Sequence, residues 1–110
     1  MLKNLFLIVA FLLLALMPSA FAAPATFGCE GSLFEPDGTS PSSINATLTT
    51  GSPWSIDIGK GPVQASSISN NRIQFKFATK DSTGEYFYYT RDLFLIYKSG
   101  HLARLMCSPR

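Results

Sequence analysis

Apolar and polar residues alternate with a period of two along most of the chain after residue 25. In one segment Ile73, Phe75 and Phe77 alternate with Gln74 and Lys76, as in a strand that has one buried and one solvated face. Clusters of Gly, Pro, Asn, Asp and Ser separate such segments at spacings of about ten residues, and these residue types favour turns. The pattern predicts strands over residues 26–34, 44–49, 54–58, 63–68, 73–78, 85–90, 93–97 and 102–107.

Short strands in this spacing predict a small antiparallel meander, and the fold class is therefore all-β. A closed or partly open β-barrel is the favoured architecture, because pairing the first strand with the last removes exposed edges. A compact sandwich is the alternative. The serine-rich segment 63–68 is a weak strand that we expect at an edge, and no segment of the exported chain has a helical apolar stripe.

The first 22 residues have the organisation of a secretory signal peptide. Lys3 supplies a positive start, an uninterrupted apolar run covers residues 5–17, and Ala20-Phe21-Ala22 is a small-x-small cleavage pattern. We expect cleavage after Ala22, with Ala20 as the second choice. An uncleaved anchor is the alternative, although about 20 apolar residues are needed to span a bilayer. We therefore expect residues 1–22 to be a signal peptide and residues 23–110 to form a single exported domain, periplasmic or secreted, without stable membrane insertion.

The exported part of the chain contains two cysteines, Cys29 and Cys107, near its two ends. In a small exported domain we expect them to form a disulfide. Closing so long a loop stabilises the fold by about 4–5 kcal/mol in the chain-entropy description. The bond would join the first and last strands of the barrel. A lipid anchor on Cys29, which follows Gly28 as in a lipoprotein box, is one alternative, and a metal or redox pair is another.

Charge argues against two classes of partner. The chain has nine Lys and Arg against seven Asp and Glu, and loss of the signal peptide lowers the net charge from +2 to +1. The basic residues are spread along the chain instead of forming the patch that nucleic acid or an anionic membrane requires. We therefore expect no nucleic-acid partner.

The sequence predicts a protein that is not an enzyme and has no cofactor or metal. The single histidine, His101, follows a hairpin turn, and no serine lies in Gly-x-Ser-x-Gly. No His, Asp or Glu spacing is typical of a metal site, and no glycine-rich phosphate loop is present. The seven carboxylates lie mostly in or beside turns, yet a pair of them could serve glycoside hydrolysis.

Aromatic residues and the last turn supply the candidate partner-binding residues. Tyrosine and tryptophan rings can stack on sugars or fill a protein interface, and they can equally pack a small core. Because strand faces alternate, Tyr86 and Tyr88 share one side of their strand. The candidate binding residues are Tyr86, Tyr88, Tyr97, Lys98, Ser99, Gly100 and His101.

The final segment, LIYKSGHLARLMC, places Ile96, Lys98, Ser99 and Gly100 before Cys107. This order resembles the last hairpin of small secreted bacterial β proteins. The Tyr-x-Ser-Gly of residues 97–100 is similar to a motif of the membrane-bound C-type lysozyme inhibitors, small periplasmic barrels closed by a disulfide, although their following Trp and Lys-Gly-Asp elements have no counterpart here. The resemblance implies a barrel, and for the turn a role in which a serine-bearing loop enters the lysozyme cleft.

Three functions remain open. The first is a non-catalytic binding protein of the bacterial cell envelope, such as a lysozyme inhibitor, whose partner is an envelope or host protein or a glycan. The second is a carrier of a lipid or small apolar ligand in the mouth of the barrel. The third is a small hydrolase that acts through carboxylates.

Overall fold

The computed structural model describes residues 24–110. The predicted signal peptide, 1–22, lies outside the described residues. No helix occurs among residues 24–110, which form eight strands. They are β1 Thr26–Phe34, β2 Ser42–Thr49, β3 Trp54–Asp57, β4 Pro62–Asn70, β5 Gln74–Ala78, β6 Ser82–Phe87, β7 Asp92–Tyr97 and β8 Leu102–Pro109.

The strands form a closed antiparallel barrel in the order in which they occur in the chain. Closure comes from β1, which pairs with β2 on one side and with β8 on the other. This arrangement confirms the predicted all-β barrel and excludes the sandwich. The prediction that β4 lies at an edge is wrong, because β4 pairs with both β3 and β5 in the closed sheet.

The predicted disulfide joins the first strand to the last. Cys29 and Cys107 lie opposite each other in the β1–β8 register, and their sulfur atoms are bonded. The bond links two positions 78 residues apart in the sequence, so it closes nearly the whole domain into one loop. It also leaves Cys29 no thiol for a lipid anchor, and residues 24–110 contain no free cysteine.

The interior of the barrel is filled by side chains. Buried positions alternate with more exposed ones along β5, β6, β7 and β8. The largest fully buried side chains are Phe75, Phe77, Leu48, Leu93, Leu95 and Leu105. The rings of Trp54 and Phe75 have centroids 4.1 Å apart, and those of Phe75 and Phe77 are stacked at 5.4 Å. Eight-stranded barrels of this kind have an interior just wide enough for side chains.

Strand β6 begins at Ser82, three residues before the predicted start at residue 85. Gly84 therefore lies inside a strand, although the sequence pattern placed it in a turn. It pairs with Phe77 of β5, and a Cβ atom built on Gly84 would overlap the Phe77 ring. The glycine is thus required for packing and not for turning the chain.

The barrel has two ends with different loops. We call one of them the hairpin end, which carries the loops 35–41, 58–61 and 79–81 and the β7–β8 turn, residues 98–101. The opposite end carries the chain termini of the described region and the loops 50–53, 71–73 and 88–91. The break predicted between the strands 85–90 and 93–97 is confirmed as a turn, although β6 ends earlier, at Phe87, and Arg91 in this turn has φ of 64°.

Candidate functional site

The β7–β8 turn is exposed but has a defined conformation. The N–H of Gly100 donates to the carbonyl of Tyr97 at 2.9 Å, and the N–H of Tyr97 donates to the carbonyl of His101 at 2.9 Å. Gly100 has φ of 95°, a region that residues with a Cβ atom rarely adopt. Lys98 and Ser99 form the exposed tip. The local sequence Lys-Ser-Gly-His therefore produces a tight hairpin with two polar residues at its exposed tip.

Lys98 ties this turn to the loop between β5 and β6. Its backbone N–H donates to the carbonyl of Asp81 at 3.0 Å, and its Nζ donates to the carbonyl of Lys80 at 2.9 Å. Both bonds cross from one loop of the hairpin end to another. The position of the tip is consequently fixed on this side by main-chain acceptors.

His101 ties the turn to the loop between β1 and β2. Its Nδ1 lies 2.8 Å from Ser99 Oγ, and its Nε2 lies 2.7 Å from Glu35 Oε2. Pro36, the next residue in the same loop, lies against Gly100. The side chains of His101 and Glu35 are about one third exposed, at 30% and 37%, so solvent reaches both partners. The turn is thus held by neighbouring loops on both of its sides.

The Ser99 hydroxyl, the His101 imidazole and the Glu35 carboxylate contact one another in the order found in a catalytic triad. A catalytic serine also needs hydrogen-bond donors that stabilise the oxyanion. The two N–H groups that flank Ser99, those of Lys98 and Gly100, already donate to Asp81 and Tyr97. The geometry therefore fits a structural tie better than an activated nucleophile.

Tyr97 lies at the mouth of the barrel, where it pairs with the buried Ser82 of β6. Burial raises the pKa of the Tyr97 hydroxyl, and the Asp81 carboxylate raises it further. The backbone of Tyr97 belongs to the hairpin, while its ring closes part of the mouth. Tyr97 therefore belongs both to the β7–β8 hairpin and to the mouth of the barrel.

The other two predicted tyrosines lie far from the turn, towards the opposite end. Tyr86 is only 3% exposed and belongs to the core, so the prediction that it presents its ring to a partner at the surface is wrong. Its inward direction follows from the pleat, because Ser82 and Gly84 of the same strand are also buried. Tyr88 is half-buried, and its hydroxyl donates to Asn70 Oδ1 at 2.6 Å. The structure thus brings together residues 97–101 and separates them from Tyr86 and Tyr88.

Glu35 is a member of the site that sequence reasoning missed. It lies in a loop distant in sequence from His101, and no local pattern links the two residues. The only signal was the predicted pairing of the first and last strands, which places the loop after β1 beside the turn before β8. Asp37 lies in the same loop, where the N–H of Thr39 donates to its Oδ1 at 3.0 Å and lowers the pKa of the Asp37 carboxyl.

Residues 24–110 contain no group of three or more His, Cys, Asp or Glu side chains placed to hold a metal ion. The same residues contain no helix that is long and apolar enough to cross a membrane. Searches for similarity to protein families, to curated proteins and to solved structures find no match for this chain.

Proposed function

We propose that this protein is an exported, non-catalytic binding protein of the cell envelope that contacts its partner through the β7–β8 turn. The observation that carries the proposal is that an exposed polar turn is tied on both sides, by Lys98 to Lys80 and Asp81 and by His101 to Glu35. A loop that is already ordered loses little conformational freedom when it binds, which favours affinity.

The filled interior supports binding at the surface over transport of a large ligand. Phe77, Leu95 and Leu105 are among the side chains that occupy the centre of the barrel. A carrier of a lipid would need an interior that these side chains leave open. The carrier hypothesis is therefore restricted to ligands small enough for the mouth.

Hydrolysis is the second candidate function, and one observation favours it. Ser99, His101 and Glu35 form a continuous chain of hydrogen bonds at the hairpin end. The N–H groups of Lys98 and Gly100, on either side of Ser99, argue against it, since both already donate to carbonyl groups of the protein and are not free to stabilise an oxyanion. Turnover of an activated ester that is lost in both Ser99→Ala and His101→Ala variants would favour hydrolysis over binding.

A C-type lysozyme is the partner that the family resemblance implies. The cleft of lysozyme contains two carboxyl groups that carry out its chemistry, so a turn with a lysine and a serine at its tip has suitable polarity to enter it. The turn is short, covering residues 98–101, and its tip is exposed. These properties match a loop that fills a cleft.

The test is inhibition of a C-type lysozyme by the purified domain. The wild-type protein is compared with Lys98→Ala and Ser99→Ala, and with the matched controls Arg72→Ala and Ser66→Ala, which change exposed residues away from the turn. We expect the wild-type domain to inhibit lysozyme. Lys98→Ala and Ser99→Ala should each weaken this inhibition by about tenfold or more, as is typical when an interface hot-spot residue is truncated. Equal inhibition by all five proteins would contradict a role for the turn, and absence of inhibition would exclude lysozyme as the partner.

Export is the remaining part of the proposal. Its support is the signal pattern of residues 1–22 together with a disulfide, which forms in oxidising compartments. Fractionation and intact-mass analysis of the full chain expressed in a bacterial host test it. We expect a periplasmic or secreted product that begins at Ala23, and a cytoplasmic product that retains Met1 or Leu2 would contradict it.

A further inference from the structure

The hairpin end contains a small cavity that the proposed function does not use. It has a volume of about 110 Å³ and lies between the loop 58–61, the loop 79–81 and strand β7. Its apolar lining consists of Ile56, Ile58, Val63, Leu95 and the ring of Tyr97. Leu95 and Ile56 are buried core residues, so the cavity is a closed-ended cup in the mouth and not a channel through the barrel.

Cations lie at the rim of this cup. Lys60 and Lys80 both line it, and Asp81 is the only carboxylate among the lining residues. Neither lysine takes part in the ion pairs found among residues 24–110, which join Lys76 to Glu85 and His101 to Glu35. The rim thus offers two cations without an ion-pair partner to a ligand that enters the cup.

The loop that carries Lys60 has a fixed conformation. Gly59 and Gly61, on either side of Lys60, have φ of 103° and 95°. The N–H groups of both glycines donate to Asp57 Oδ1, at 2.8 Å and 3.1 Å. Asp57 is therefore engaged by its own loop, and Lys60 is displayed at the tip of a preformed turn.

The two hydroxyl groups that line the cup, those of Thr79 and Ser82, form a hydrogen bond with each other. Thr79 Oγ1 and Ser82 Oγ lie 2.8 Å apart, and the N–H of Ser82 donates to Thr79 Oγ1 at 3.0 Å. A polar group of a ligand therefore finds its partners in the lysines at the rim, and not in the hydroxyl groups of Thr79 and Ser82. An occupant needs an apolar part that points inwards and an anionic part that points outwards.

We propose that the cup binds a short-chain aliphatic carboxylate, with its hydrocarbon tail against Leu95 and Val63 and its carboxylate near Lys60 and Lys80. A cavity of about 150 Å³ with an apolar lining accepts a benzene molecule, so about 110 Å³ accommodates a tail of about four or five carbon atoms. Longer chains extend into solvent through the mouth. This inference is independent of the partner of the β7–β8 turn, because the ligand occupies the cup and leaves the tip of the turn free.

The experiment is an amide-resolved NMR titration of the domain with hexanoate, with hexan-1-ol as the neutral analogue and with acetate as the short anion. We expect hexanoate to shift the signals of residues 58–63, 79–82 and 95–97, and to bind about a hundredfold more tightly than acetate, because its four additional methylene groups add buried apolar area. We expect hexan-1-ol to bind about fivefold more weakly than hexanoate, since it lacks the attraction of the lysines.

Two variants locate the site. Val63→Phe fills the cup from a half-buried position and is expected to abolish binding of hexanoate, while the double variant Lys60→Ala/Lys80→Ala is expected to make hexanoate and hexan-1-ol equal. Arg72→Ala, at the opposite end, is the matched charge control and should bind as the wild type does. Equal binding of hexanoate and hexan-1-ol by the wild type, unchanged binding in Val63→Phe, or no binding of hexanoate to the wild type would each overturn the proposal.

Discussion

Nε2 of His101 lies 2.7 Å from Oε2 of Glu35, and this contact joins the turn before the last strand to the loop after the first. The contact exists because the barrel closes between β1 and β8, which brings the two loops to the same end. Ser99 Oγ, on the other ring nitrogen of His101, extends the same chain of contacts to the tip of the turn. Closure of the fold thus fixes the geometry of the surface to which we assign binding.

Removal of the Glu35 carboxylate is expected to loosen the turn without unfolding the barrel. In Glu35→Ala the imidazole loses its partner, so the amides of residues 99–101 should exchange with solvent faster than in the wild type. The free energy of unfolding should fall by less than about 1 kcal/mol, because both side chains are partly exposed. Glu85→Ala, which removes the partner of Lys76 on the barrel wall, is the matched control. Equal exchange at residues 99–101 in both variants would argue that Glu35 does not order the turn.

Gly84→Ala is expected to destabilise the barrel by about 1–3 kcal/mol, the range for overpacking a close-packed core. The added methyl group would occupy the space of the Phe77 ring. The exposed neighbour Thr83→Ala should change stability by no more than about 0.5 kcal/mol. Urea denaturation measures both, and part of the loss should be recovered when Phe77→Leu is combined with Gly84→Ala. Equal stability of Gly84→Ala and Thr83→Ala would show that the assigned packing of Phe77 is wrong.

Loss of the disulfide is expected to cost about 4 kcal/mol of folding free energy, because 78 positions of sequence separate the bonded residues. The double variant Cys29→Ser/Cys107→Ser and the reduced wild type should have similar urea midpoints, both well below that of the oxidised protein. Alkylation of the native protein before and after reduction measures the thiols directly. Two reactive thiols in unreduced material would contradict the bond.

The domain is expected to lose stability at alkaline pH. Burial raises the pKa of Tyr86, Tyr88 and Tyr97 above the ordinary value near 10. The folded protein then retains protons that the unfolded chain releases, so the free energy of unfolding is unaffected below about pH 10 and falls as the pH rises from there through the folded pKa values.

Urea midpoints measured between pH 8 and pH 12 test this slope, with absorbance of tyrosinate as the direct titration. Tyr97→Phe retains the ring but has no proton to release, and its alkaline slope should be shallower than that of the wild type. Tyr89→Phe, at an 81% exposed position, is the control. Identical slopes in the two variants would show that Tyr97 does not contribute.

The alternation of apolar and polar residues was sufficient to predict an all-β antiparallel meander, but it left both a barrel and a compact sandwich open. The positions of Cys29 and Cys107, near the two ends of the exported chain, indicated that the first strand lies beside the last. The start of β6 was missed for a tertiary reason. Gly84 has the composition of a turn residue, yet its role is to leave space for Phe77, and that ring lies on another strand.

The candidate site was only partly predictable. Local sequence identified residues 97–101 as a turn, because Ser-Gly is a strong turn signal. It could not identify Glu35, which reaches His101 only when the barrel is closed, nor the bond from Lys98 to the carbonyl of Lys80. The direction of Tyr86 was ambiguous because its strand carries aromatic residues on both faces, and a period of two does not say which face is buried.

An amide-resolved NMR titration of the domain with a C-type lysozyme tests the assignment of the turn most directly. We expect the largest shifts at residues 97–101, with small changes at the loops of the opposite end, and an affinity that Lys98→Ala and Ser99→Ala reduce by about tenfold. Shifts concentrated at residues 50–53, 71–73 or 88–91, or an affinity that the two substitutions leave unchanged, would contradict the account.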